Sequence, residues 1–422
     1  MKHGIRYAFL LSGSLILLGM SVMTACSTVS PEMKSSQATL GMEPDFSYSV
    51  VEQQPSVHVD RYGYGMYDKK LVFVTGREID KNFELREADG DGSVFQGKLK
   101  KIRSDKYTDV YMGDFSEWEQ EGNYYIYNST LGDSYEFKIS GQIYQELFSF
   151  YFRMFGESIE DTVDCRVYSL ANLLFTKELF PQTPVAEGFL KQEIEIIRTE
   201  LEDGKADSCN EQAEMAGLLA QSAFLYRGSD PVFAQQCLNS SQVACQKLEK
   251  ENDLIRDDIR RYLLAELFRA TGGYHYKNAI VSKKLFENRN SREDKHDFTI
   301  LSDFAYLGSS NCIDYEKCKE ILNFYLRKAQ KISENSSREN LYVVQNADQL
   351  EYNEVLEYLM VLGIENYMLS GREYEVVQKN YIHYFLGGNE QNRNQLMDEA
   401  FLDQMECEDY SQLLFIIGSL CH

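Results

Sequence analysis

A change of period at Gly141 constrains this chain more than any other feature of its sequence. From Pro55 to Ser140 the apolar residues come in short alternating runs: KKLVFVTG, FELREADGDGSVFQGKLKKI, DVYMGDFS, GNYYIYNS and DSYEFKIS. Asp89-Gly90, Asp91-Gly92, Glu121-Gly122 and Leu131-Gly132 supply turns between them. About seven strands in about ninety residues predict a small β-sandwich. Beyond Gly141 the spacing becomes helical, with Ile143, Leu147, Phe150 and Met154 three or four apart, as one buried helix face requires. Amphipathic runs then continue to the C-terminus. Gly228-Ser229-Asp230-Pro231 reads as a helix start and Thr271-Gly272-Gly273 as a stop. About a dozen helices in series make either a solenoid or a closed toroid, and the lack of a strict repeat weighs against the solenoid.

The first residues follow another pattern. Lys2 and Arg6 precede the apolar AFLLSGSLILLGMSVM, and MTAC places small residues ahead of Cys26. That order resembles a bacterial lipoprotein signal. It implies removal of residues 1–25, acylation of Cys26 and an extracytoplasmic, lipid-anchored protein. Residues 26–54 are polar, carry prolines and read as a tether. The formal charge of −23 argues against nucleic acid as a partner, because phosphates would be repelled. Neutral sugars are compatible with it. Apart from Cys26 the cysteines are Cys165, Cys209, Cys237, Cys245, Cys312, Cys318, Cys407 and Cys421. Outside the cytoplasm they can form disulfides, and Cys312 and Cys318 are near enough in sequence to be candidates. There is no CxxC pair and the histidines are scattered, which argues against a structural zinc site. No cofactor is called for, and a structural calcium ion is not indicated by any motif.

Both halves together suggest a family. VDRYGYGMYDKKLVFVTG, VYMGDFSEWEQEGNYYIYNSTLGDSYEFKI and IYQELFSFYFRMF resemble the N-terminal immunoglobulin-like domain of family 9 glycoside hydrolases and its join to the catalytic domain. LLFTKELFPQ, AELFRATGGYHY, GIENYMLSGREYEVVQKNYIHYFLGGNEQN and EDYSQLLFIIGSL are similar, in the same order, to helices of that catalytic domain. The resemblance implies an immunoglobulin-like β-sandwich over residues 55–140. An all-α (α/α)6 toroid of the six-hairpin glycosidase type would then follow over 141–422. It also implies a polysaccharide or oligosaccharide ligand of the β-1,4-glucan type.

It implies a site as well. In the family an Asp-Ala-Gly-Asp motif activates water, and Asp161-Thr162-Val163-Asp164 holds its place ahead of Glu178-Leu179-Phe180-Pro181. The preceding Gly-Gly-Trp-Tyr is absent here, as is the glycine of the motif. The family's acid lies shortly before the last helix. Aligned on Tyr410, that position falls on Met405, with Glu406 one residue away. An inverting glycosidase holds its two carboxyls about 6.5–9.5 Å apart, whereas helical neighbours three apart have Cβ atoms about 5–6 Å apart. Asp161 and Asp164 can therefore share the base role, but the acid, a raised-pKa Glu406, must come from elsewhere. The sugar-contact segment expected after YFLGGN contains Arg393 but no histidine. Plainer readings stand beside these. The two aspartates suit the positive end of a helix dipole, Glu406 belongs to a run of solvated acids, His383 sits in an apolar run as a packed histidine, and Trp118 and Tyr124 to Tyr127 fill the sandwich core. Three functions follow: inverting hydrolysis; a silent descendant binding glycan or a partner protein at the cell surface; and an unrelated scaffold.

Overall fold

Pairing of the β-branched and aromatic runs builds two sheets. The computed structural model describes residues 55–90, 92–104, 106–159, 163–249, 254–282, 296–311, 314–336, 342, 352–369 and 371–422. The expected signal segment, Cys26, Asp161 and Cys312 lie outside the described residues, and of Asp164 only the backbone is described. One sheet has the order β1 (Val57–His58), β3 (Leu71–Thr75), β7 (Asp109–Asp114), β6 (Lys100–Ser104). The other has the order β2 (Gly63–Tyr64), β10 (Phe137–Ile139), β8 (Gly122–Asn128), β4 (Asn82–Glu87), β5 (Ser93–Lys98), with β9 (Gly132–Asp133) beside β8. Among the described strands only β2 and β10 run parallel. Alternation decides the faces: along β8, Tyr124 and Ile126 are buried while Tyr125 and Tyr127 are half-exposed. The expectation of a core filled by all of Tyr124 to Tyr127 is thus corrected to every second residue. Trp118 is also half-buried, lying edge-on to Tyr124 at the margin of the core.

The helices are α1 (Ile143–Ser158), α2 (Val163–Leu179), α3 (Glu187–Glu202), α4 (Cys209–Tyr226), α5 (Pro231–Leu248), α6 (Asp257–Thr271) and α7 (Tyr274–Ser282). They continue with α8 (Thr299–Leu307), α9 (Tyr315–Ser336), α10 (Tyr352–Met368), α11 (Glu375–Phe385), α12 (Glu399–Leu402) and α13 (Cys407–Gly418). In α1 the buried stripe is Ile143, Leu147, Tyr151 and Phe155, with Tyr144 and Phe148. Phe150 and Met154, expected in that stripe, are half-buried, and Phe150 turns toward Tyr62 of the sandwich. The start of α5 follows the sequence: the Asp230 carboxylate accepts from the Phe233 N–H at 3.2 Å and Pro231 opens the helix. Gly272 ends α6 at φ 73°, where its N–H reaches the Phe268 carbonyl.

Burial divides these helices into two layers. α3 buries one stripe, Leu190, Ile194, Ile197 and Leu201, as an outer helix should. By contrast α4, α6 and α13 are buried nearly all round. α2 packs on α4 and α13, α4 on α6, α6 on α8, and α10 on α13, while α3, α5, α7, α9 and α11 alternate with them outside. Inner helices alternating with outer ones are the expected (α/α)6 arrangement. Close approach requires small residues: a Cβ at Gly217 of α4 would lie 2.5 Å from the Tyr262 ring of α6. The buried Arg269 of α6 is paired within the ring, bridging Glu266 and Glu178.

Sandwich and ring join through a buried polar seam. His383 of α11 lies between two sandwich carboxylates, with Nδ1 2.7 Å from Asp60 Oδ2 and Nε2 3.4 Å from Asp68 Oδ2. Asp68 also pairs with Lys379 at 2.9 Å and accepts from the Tyr144 hydroxyl at 2.7 Å. Tyr342 accepts from the Leu71 N–H and donates to the Lys69 carbonyl. His383 is therefore a packed structural histidine, as its apolar flanks suggested.

Candidate functional site

The heads of α2 and α13 lie side by side. Cys165 and Tyr168 stand three apart on the first turns of α2, and so share a face. Cys407 and Glu408 open α13. A disulfide joins Cys165 to Cys407, with their Cα atoms 6.4 Å apart and 242 residues of chain between them. The seam continues down both helices through Tyr168 and Gln412, Asn172 and Ser411, and the stacked rings of Phe175 and Phe415, 5.1 Å apart. The pairs advance together along both chains, so α2 and α13 run parallel. Of the pair suggested by spacing, Cys318 is a buried free thiol. Nearness in sequence was the wrong guide, because the ring brings its first and last inner helices side by side.

The candidate residues adjoin this bridge along the chain. Asp164 precedes Cys165 in the first turn of α2, and Glu406 precedes Cys407 as the N-cap of α13. Each is one residue, about 3.8 Å, from its cysteine, so their Cα atoms lie within about 14 Å of one another. Glu406 is exposed, and its N–H donates to Asp409 Oδ2 at 3.0 Å. Met405, at the aligned acid position, is buried. Arg393 lies in the loop after α11, where its backbone is held by the Asn389 side chain.

Residues the motif reading passed over occupy the space beside the bridge. Glu408 is buried, and its Oε2 lies against His296 Nε2. The His296 ring lies 5.3 Å from that of Tyr168, and its carbonyl accepts from Arg256, which also clasps Asp258 at 2.6 Å. Phe298 packs edge-on to Tyr168 and against Tyr262. Burial raises the Tyr168 hydroxyl above its ordinary range and the Asp297 carboxyl above its own. Cys165, His296 and Glu408 bring a sulfur, a nitrogen and an oxygen within 4.8 Å of one another. The signal available in the sequence was the repeated adjacency Asp164-Cys165 and Glu406-Cys407.

Comparison with known proteins agrees with this architecture. Residues 52–132 match the cellulase N-terminal Ig-like domain. A metagenome-derived glycoside hydrolase family 9 endoglucanase superposes with a TM-score of 0.65 at 16% identity, over 80% of this chain and 84% of that one. A single mutant of the thermostable endoglucanase from Alicyclobacillus acidocaldarius gives 0.66 at 14% identity, over 87% and 100%. The endoglucanase AaCel9A in complex with cellobiose-like isofagomine gives 0.67 at 14%, over 87% and 99%. The chain has the family 9 glycoside hydrolase fold, with its Ig-like domain in front. No curated protein sequence matches it. The reading as an unrelated scaffold is thereby set aside. In this family 9-like chain the disulfide ties together the two helix heads that carry the candidate acid and base.

Proposed function

We propose that this chain is a surface-anchored, family 9-like protein that binds glycan of the β-1,4-glucan or cello-oligosaccharide type and no longer hydrolyses it. One observation carries the reading: the helix heads that bear Asp164 and Glu406 are joined by the Cys165–Cys407 bridge, with Glu408 and His296 packed beside it. Inverting hydrolysis needs water and a glycosidic oxygen between carboxyls about 6.5–9.5 Å apart. Here a disulfide one residue from each candidate fixes the two helix heads covalently, so they cannot part to admit a sugar. Glycan as ligand is supported by the fold shared with endoglucanases, one of them in complex with cellobiose-like isofagomine. Net charge of −23 disfavours nucleic acid.

A second reading keeps hydrolysis, because both candidates adjoin the bridge along the chain, within about 14 Å of one another. In it Asp164 with Asp161 deprotonates water and Glu406 protonates the leaving oxygen. Reducing-sugar release from a soluble cellulose derivative separates the two. For the binding reading, wild type, Asp164→Asn and Glu406→Gln release equally little sugar, while wild type is still retarded in a gel containing the polymer. Release by wild type about 100-fold or more above Asp164→Asn establishes hydrolysis instead. Loss of retardation would end the glycan reading.

The N-terminal pattern supports anchoring through acyl chains on Cys26. Each buried methylene contributes about 0.8 kcal/mol, so two or three chains hold where one does not. Metabolic labelling with a fatty acid is expected in the wild type and absent in Cys26→Ala. Equal labelling of both would remove the anchor.

A further inference from the structure

We propose that Cys165, Cys407, His296 and Glu408 form a zinc(II) site when the disulfide is open, so that one cluster alternates between a covalent staple and a metal staple. A disulfide needs neither an imidazole nor a carboxylate beside it. Yet His296 Nε2 and Glu408 Oε2 are both buried and face one another, and neither has another hydrogen-bond partner among the described residues. With Cys165 Sγ they lie within 4.8 Å of one another. Ligands of a tetrahedral zinc ion sit about 3.3–3.8 Å apart, so each atom needs to move by about an ångström. Cys407 supplies the fourth ligand from the sulfur already bonded to Cys165.

Chemistry selects the ion. Two thiolates, one imidazole and one carboxylate suit borderline-soft zinc, whereas calcium requires six to eight oxygens. The set draws on three separate elements, α2, the segment before α8, and α13, which is why no CxxC spacing announced it. Its surroundings hold the donors in place: Arg256 grips the His296 carbonyl, Tyr168 packs against its ring, and Cys407 fixes the start of α13. The opening step balances with a dithiol reductant. The dithiol gives two electrons and two protons to the Cys165–Cys407 bond and leaves as its own disulfide. Metal binding then expels both protons as the thiols become thiolates.

Cobalt(II) reports the site directly, independently of any hydrolytic activity. Full-length protein is reduced with dithiothreitol, freed of it under argon and titrated with cobalt. One equivalent is expected to bind with a thiolate-to-metal charge-transfer band and tetrahedral d–d bands, both removed by zinc, while oxidised protein shows neither. The double variant Cys165→Ser, Cys407→Ser is expected to lose the bands, and His296→Ala and Glu408→Gln to bind at least about tenfold more weakly. The site is overturned if reduced wild type gives no thiolate band. It is equally overturned if the double variant keeps the band through the other thiols, or if His296→Ala and Glu408→Gln bind as tightly as wild type. Should a variant fold poorly, wild type alone decides: zinc must raise the Tm of the reduced protein and leave that of the oxidised protein unchanged, and no rise in the reduced protein refutes the site.

Discussion

Replacing Cys165 and Cys407 together by serine is expected to lower stability by an amount near the top of the about 0–5 kcal/mol range for disulfides. The reason is the length of chain enclosed. The bridge closes a loop of 242 residues, which includes every inner helix between the first and the last. In the chain-entropy view the unfolded state of a longer loop gains more freedom when the link is cut. The folded state loses little else, because Tyr168 and Gln412, Asn172 and Ser411, and Phe175 and Phe415 still hold α2 against α13. The variant should therefore fold to the same ring and melt several degrees lower. Reduced wild type, with metal removed, should melt with it. Denaturant and thermal melts of the three samples measure this. A double variant as stable as oxidised wild type would show that the seam, and not the bridge, closes the ring.

Much of the ring was legible in the sequence because its signals are local. The period change at Gly141, the Asp230-Pro231 start and the Gly272 stop each act within a few residues, and each appears in the fold. Distinguishing inner from outer helices was harder, since inner helices such as α4 and α13 are buried nearly all round and show little contrast between faces. In α1 the stripe was set one residue off at its far end, at Phe150 and Met154. Tyr151 and Phe155 continue the four-residue rise from Ile143 and Leu147, and both are fully buried. The site was the least legible part. Glu408 is one acid among Glu406, Glu408 and Asp409, and only packing shows that it is the buried one. His296 is far in sequence from every residue it meets. Motif alignment pointed to Asp164 and Glu406 and passed over the cysteines beside them, whose pairing depends on ring closure over 242 residues.

His383→Gln is expected to weaken the joint between sandwich and ring by about 3–5 kcal/mol, the cost of leaving buried charge without its partner. Asp60 and Asp68 are both wholly or nearly buried, and the His383 ring meets a carboxylate oxygen of each. Burial opposes its charge, but the two carboxylates more than offset this and hold the imidazole above its ordinary range. Burial likewise opposes the Asp68 charge, and His383 with Lys379 outweighs it, holding that carboxyl below its ordinary range, whereas at Asp60 burial outweighs His383 and holds the carboxyl above its own. The signs give a window. Stability from a raised histidine is fully present below its unfolded value, about 6.5, and is lost as pH rises through the higher folded value. Stability from a depressed aspartate is present above its unfolded value, about 3.9, and is lost as pH falls through the lower folded one. The difference in Tm between wild type and His383→Gln should thus be greatest from about pH 4 to 6.5 and shrink as the solution becomes alkaline. A constant difference across that range would mean that His383 acts through packing alone. A difference that grows with pH would place the proton on a carboxylate instead. The expected profile identifies a charged imidazole, clamped between two aspartates of one layer and presented by a helix of the other, as what keeps the Ig-like domain on the ring.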